Sequence, residues 1–248
     1  MSFLEHLEEL RRRIIHSIIA VAIAFFACWY YAERIFAVMQ RPIMLALHRH
    51  KLDEKLVYLN PIEPFNMYLK VALVAAVFVA SPYILYQVWA FISPGLYRHE
   101  KRYVLPFMFS TVLLFAAGGY FGYHFVYPAA LDFLIGYGAQ FQPMITIESY
   151  TKLFMTVILG MALIFELPII VFFLALFGIV SAGWMWRNFR YSILGIFIIA
   201  AVITPTTDIL NMCIFAAPMV VLYGLSIGVA YIVHPTRRKA RAKAGAQA

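Results

Sequence analysis

Residues 153–180 read LFMTVILGMALIFELPIIVFFLALFGIV, an unbroken apolar run with a single ionisable side chain, Glu166. A helix needs about 20 apolar residues to cross a hydrocarbon core of roughly 30 Å, so this run is long enough to span a bilayer by itself. Outward from it lie five more blocks with little or no charge: residues 14–32, 71–91, 104–131, 191–204 and 209–233. The whole chain is 64% hydrophobic and 13% charged, whereas soluble domains carry roughly a quarter charged residues. Lipid is therefore its solvent, and the expected fold is all-α, a polytopic membrane domain of six transmembrane helices over residues 1–235. A basic, disordered cytoplasmic tail is expected at 236–248.

The fifth block is short, held between Arg190 and the turn Thr204-Pro205-Thr206-Thr207-Asp208. It is read as a span because a non-crossing fifth block would put the basic tail on the outer side. Local thinning of the bilayer can accommodate a short span. With the N-terminus inside, the cytoplasmic segments hold Arg11, Arg12, Arg13, Arg98, Lys101, Arg102, Arg187, Arg190 and five tail residues. These are thirteen of the 20 Lys and Arg. That bias orients both termini to the cytoplasm. The net charge of +8 is gathered at block edges and in the tail, which fits membrane topology and anionic headgroups, not nucleic acid.

The first ten residues include Glu5, Glu8 and Glu9 in place of a basic stretch, so the first apolar block reads as a permanent anchor. Ser2 followed by Glu5 has capping-box spacing, predicting a helix from the N-terminus into the first span. The first outer loop contains Arg41-Pro42 and Asn60-Pro61-Ile62-Glu63-Pro64. At about 35 residues it is too long for a bare linker and is expected to hold short interfacial helices. Pro82, Pro106, Pro128, Pro168 and Pro218 fall inside spans, where each removes a backbone hydrogen bond. Five bends favour a curved wall with a concave face.

Glu166 is the most informative single residue. An ionisable group at that depth costs about 3 kcal/mol on insertion scales. It reads either as a structural hydrogen bond to a carbonyl freed by Pro168 or as a polar docking point for another protein. A second constellation joins Glu5-His6-Leu7-Glu8-Glu9-Leu10-Arg11-Arg12-Arg13 to Tyr97-Arg98-His99-Glu100-Lys101-Arg102. Glu8 with Arg12 and Glu9 with Arg13 stand four apart, which alone describes a helix laced with weak surface pairs. The same carboxylates suit the fork-shaped donors of an incoming arginine pair.

The run Ser81-Pro82-Tyr83-Ile84-Leu85-Tyr86-Gln87-Val88-Trp89-Ala90-Phe91-Ile92-Ser93-Pro94-Gly95-Leu96-Tyr97-Arg98-His99-Glu100-Lys101-Arg102 closely resembles the signature of the TatC family, the receptor core of the twin-arginine protein translocase. Supporting matches are His6–Arg13, Phe165-Glu166-Leu167-Pro168, and Thr204-Pro205 with Asp208. The resemblance implies six helices with short fifth and sixth spans in a bacterial inner membrane. It implies that Glu9 and Glu100, with Arg11 and Phe91, bind the twin-arginine motif of signal peptides on folded precursors. Glu166 would be the buried polar group of the concave face. Pro42 would lie in a structured outer cap, and Pro205 and Asp208 in the last turn. The implied partners are TatA- and TatB-type single-span proteins, other TatC copies and membrane lipids.

Export would draw on the proton-motive force, for no Gly-rich run ends in Lys-Ser or Lys-Thr. No cofactor or metal is expected: Cys28 and Cys213 stand far apart, without a ligand cluster. The alternative is a proton- or ion-coupled small-molecule transporter using Glu166, which lacks the paired broken helices such transporters use. An intramembrane enzyme would draw on His124, Ser192 or Ser226, but no nucleophile and base stand at recognisable spacing, so no enzymatic activity is expected.

Overall fold

The computed structural model describes residues 3–53, 55–92, 104–138, 140–141, 143–204 and 209–245. It is helical along nearly all of that length. The helices are α1 (Phe3–Tyr30), α2 (Ala32–Met39), α3 (Arg41–Arg49), α4 (Glu63–Ile92), α5 (Val104–Phe121), α6 (Tyr127–Tyr137), α7 (Ile147–Ile164), α8 (Leu167–Leu176), α9 (Ala182–Arg187), α10 (Phe189–Ile203) and α11 (Ile209–Gly245). Among the described residues, five helical stretches are long and apolar enough to cross a membrane: Leu4–Tyr30, Glu63–Phe91, Met108–Tyr137, Ile147–Leu176 and Met212–Ile232. The short fifth block is the shorter apolar helix Phe189–Val202. The chain divides into two compact units, Met1–Leu159 and Gly160–Ala248.

In the first unit α1 runs antiparallel against α4 along a ladder of small side chains. Ala24 and Cys28 of α1, followed by Ala32 at the start of α2, recur every fourth residue on one side; Ala72, Ala76 and Ala80 of α4 do so on the other, and all are buried. Between membrane helices there is little hydrophobic drive, so close backbone approach over small residues supplies the packing. The opposite face of α1, with Ile15, Ile18, Ile19 and Phe26, is exposed as a lipid-facing surface should be.

The first loop does fold into short helices, α2 and α3. Lys51 ends α3 in the left-handed region at φ 55, letting the Leu52 N–H reach the Leu47 carbonyl at 3.0 Å in a Schellman closure. The stretch Asn60-Pro61-Ile62-Glu63 then starts α4. The Glu63 carboxylate accepts from the Leu59 and Asn60 N–H groups, and the Asn60 side chain from Ile62 N–H. A bridge from Val57 to the strand-like residues before α7 ties this loop to the next one, with bonds of 3.0 and 2.9 Å to Ile145 and Ile147. The Tyr150 hydroxyl donates to the Met39 carbonyl.

The prolines act unequally. Pro82 sits inside an uninterrupted α4, and the carbonyl its missing N–H would have served, that of Phe78, accepts the Ser81 hydroxyl at 2.8 Å. Pro128 follows a π-helical turn at Gly122–Val126. Pro168 follows a true interruption: α7 ends at Ile164, the residue four before it, and α8 restarts after Phe165 and Glu166.

In the second unit α8, α9 and α10 pack on α11. Val171, Ala175, Met185 and Ala230 form its buried centre. Gly178 ends α8 with φ 74, a left-handed residue that brings the Ile179 N–H to the Leu174 carbonyl at 2.9 Å. Ser192 donates to the Tyr223 hydroxyl at 2.7 Å, and Tyr223 in turn to the Met185 carbonyl, joining α10, α11 and α9. The helix α11 runs on through the basic segment as far as Gly245.

Candidate functional site at the paired ends of α1 and α4

The antiparallel pairing of α1 and α4 brings the first residues of one beside the last of the other. His6 stacks on Phe91 with ring centroids 4.4 Å apart and an interplanar angle of 21°. One turn further along α1, Glu9 receives both Nη2 and Nε of Arg13 on a single oxygen, Oε1, at 2.8 and 3.1 Å. The remaining arm of the same guanidinium, Nη1, donates to Oε1 of Gln87 on α4 at 3.0 Å. Gln87 is buried at 6% exposure, so its carbonyl is a fixed anchor and not a solvated side chain.

This geometry differs from an ordinary surface pair in one respect. A bidentate arginine commonly spreads over both carboxylate oxygens; here Arg13 crowds onto one. Oε2 of Glu9 is buried and has no hydrogen-bond partner among the described residues, and the side chain as a whole is 12% exposed. An unmatched buried acceptor costs about 1–3 kcal/mol. A cationic donor reaching this oxygen would recover that penalty. Glu9 and Arg11 line one recess on α1, together with Glu5, Glu8 and Arg12, and Arg11 is exposed.

Of the residues singled out in the sequence, the structure thus brings Glu9, Arg11 and Phe91 to one end of the first unit. Glu100, Pro205 and Asp208 lie outside the described residues. Pro42 is buried at the first turn of α3, where a proline needs no N–H partner. Arg13 and Gln87 were missed as site residues: Arg13 could be found only as a helical partner of Glu9, and Gln87 carries no spacing signal because its partner is 74 positions away.

Glu166 belongs to the second unit and is a separate feature. It sits in the interruption between α7 and α8 and is 8% exposed. Its backbone is fully used, donating to Leu163 and accepting from Ile169 and Ile170 at 3.0 Å. Its side chain does not cap α8, and Oε1 is buried without a partner among the described residues.

A sequence model of the family described as Sec-independent protein translocase protein (TatC) matches residues 5–218. This chain belongs to the TatC family. The TatC protein of Koribacter versatilis is 69% identical over 244 residues, covering 98% of this chain and 90% of that protein. The TatC protein of Aquifex aeolicus is 34% identical over 242 residues, covering 96% and 98%. A crystal structure described as the twin arginine translocase receptor TatC superposes with a TM-score of 0.80 at 34% identity, covering 91% of this chain and 97% of that one. A second, of the same receptor in DDM, gives 0.82, covering 91% and 99%. The chain is accordingly a multi-pass membrane protein of the TatC fold and a transport protein, a component of the protein translocase whose partners are those of a Tat complex.

Proposed function

We propose that this chain is the receptor of the twin-arginine translocase and that the end of α1 and α4 reads the arginine pair of signal peptides on folded precursors. The observation that carries this reading is Glu9, held by Arg13 and Gln87 with its second oxygen unmatched. An incoming guanidinium places a planar fork of donors against that oxygen, and its charge makes the bond about twice as strong as a neutral one. Glu100, in the segment that follows α4, takes the other arginine, Phe91 offers an aromatic face to the stem of a bound side chain, and Arg11 helps set the local field.

The same reading puts α10 across the membrane as a sixth, short span, both termini in the cytoplasm, and the chain in a bacterial inner membrane. The spans form one transmembrane domain over residues 1–235, and the basic segment from 236 onward lies at anionic headgroups. Glu166 is a polar docking point among the spans, Pro42 a part of the outer cap, and Pro205 and Asp208 the turn before α11. Signal binding recruits TatA- and TatB-type single-span proteins to complexes holding further copies of this chain. The proton-motive force drives passage, and no covalent chemistry is catalysed.

The test is export of a twin-arginine precursor in cells carrying Glu9→Gln or Glu100→Gln, with membrane levels of each variant measured in parallel. Loss of export at unchanged protein level is expected. Normal export in both variants would overturn the binding-site assignment.

A further inference from the structure

Away from the paired ends of α1 and α4 the first unit carries a second polar region that signal-peptide reading does not use. A pocket of about 460 Å³ is framed by α3, the π-helical turn and α6, and its polar groups are Arg41, Arg49, His124 and Asp132. Beside it lies an apolar slot of about 360 Å³, walled by Met39, Phe78, Phe154, Met155 and Ile158. The two share Val38 and Tyr123 as lining residues, and the Tyr123 hydroxyl donates to the Val38 carbonyl at 2.7 Å. A cationic pocket and an apolar slot thus adjoin along one hydrogen-bonded pair.

The charges do not cancel. Arg49 is paired to Oδ2 of Asp132 at 2.6 Å, while Arg41 is exposed and has no ion-pair partner among the described residues. Among the described residues one positive charge of the pocket is left over, on the rim beside Tyr123. His124 is exposed next to it, its ring 4.2 Å from Tyr120 and 4.9 Å from Tyr123. The π turn is what presents Tyr123 and His124 here, and such turns recur at binding sites. Tyr123 lines the pocket together with Arg41 of α3, and tyrosine beside a basic residue is enriched at the level where lipid headgroups lie.

We propose that this is a phospholipid site: the phosphodiester sits between Arg41 and His124, and an acyl chain enters the slot past Val38 and Tyr123. The single negative charge of a phosphodiester matches the one uncompensated arginine. Basic pockets between membrane helices bind phosphate headgroups in this way, and the slot distinguishes a lipid from a soluble phosphate, which would have no use for it.

The experiment is a binding titration of the full chain, delipidated in detergent, followed by native mass spectrometry. The probes are phosphatidylglycerol, its deacylated headgroup glycerophosphoglycerol, and inorganic phosphate. One saturable phosphatidylglycerol is expected, with neither soluble probe displacing it at equal concentration. Arg41→Gln should weaken it about tenfold or more, the scale of a hydrogen bond to a charged group, while Arg41→Lys retains most of the affinity. Met155→Trp, which fills the slot without touching the arginines, should weaken lipid binding too. Equal binding by Arg41→Gln would overturn the site. Displacement by inorganic phosphate, or full lipid affinity in Met155→Trp, would overturn the lipid as its occupant.

Discussion

Arg13 gives two of its donors to one oxygen of Glu9 and a third to Gln87 on the neighbouring helix. The effect is to orient a carboxylate on α1 by a residue on α4, with one oxygen left over. Gln87→Leu removes the anchor while keeping an apolar stem in the span. Twin-arginine peptide affinity should fall about tenfold, the scale of a hydrogen bond to a charged group. Gln87→Glu keeps the acceptor and should restore most of it; fluorescence titration of a labelled peptide against the purified protein checks both.

Packing of α1 on α4 depends on small side chains, alanine and cysteine. Ala76 is 0% exposed in the middle of that contact, so Ala76→Leu forces the helices apart. Overpacking of this kind costs about 1–3 kcal/mol. The melting temperature in detergent should drop, and peptide affinity with it, because the distance from Arg13 to Gln87 is set by the same interface. Gly119 is tight for a related reason: a Cβ there would lie 2.5 Å from the Phe78 ring.

Tyr150→Phe deletes the hydroxyl that serves the Met39 carbonyl and leaves that buried acceptor unmatched. A loss of about 1–3 kcal/mol is expected, seen as a lower melting temperature. Peptide affinity should not change, since the loops meet at the far end of α4 from Glu9. A fall in affinity matching the fall in stability would contradict the separation of the two ends.

Glu166 separates a structural from a functional role. Glu166→Leu removes an ionisable group worth about 3 kcal/mol against insertion, and its Oε1 has no partner to lose among the described residues. The variant should be at least as stable as the parent in a thermal melt, yet fail to export twin-arginine precursors. Full export would reduce Glu166 to a tolerated polar residue.

How legible all this was in the sequence depends on whether the decisive contact is local. The apolar blocks mark the spanning helices because length and charge alone decide them, and the short block 191–204 does correspond to the short α10. The helices in the first loop were expected from its punctuation. The ladder of Ala24, Cys28, Ala72, Ala76 and Ala80 is plain at a period of four, but in a chain this apolar it does not stand out. Pro168 interrupts its helix where Pro82 does not, because a serine hydroxyl one residue before Pro82 meets the stranded carbonyl. The pairing of Val57 with the segment before α7 and of Arg13 with Gln87 spans scores of residues, and no periodicity reports such contacts. Glu9 was legible from its setting; that only one of its oxygens is spoken for was not.

The central claim, that Glu9 and its neighbours read an arginine pair, is tested most directly by photo-crosslinking from position 91 in native membranes. Phe91 is replaced by a photoreactive phenylalanine analogue, which keeps the ring next to His6 and leaves Glu9 intact. The protein is then challenged with a precursor carrying Arg-Arg and with the same precursor carrying Lys-Lys. Crosslinks with the arginine pair that disappear with lysine, and disappear again when Glu9→Gln is added, are predicted. Equal crosslinking of the two precursors, or crosslinks indifferent to Glu9→Gln, would contradict it.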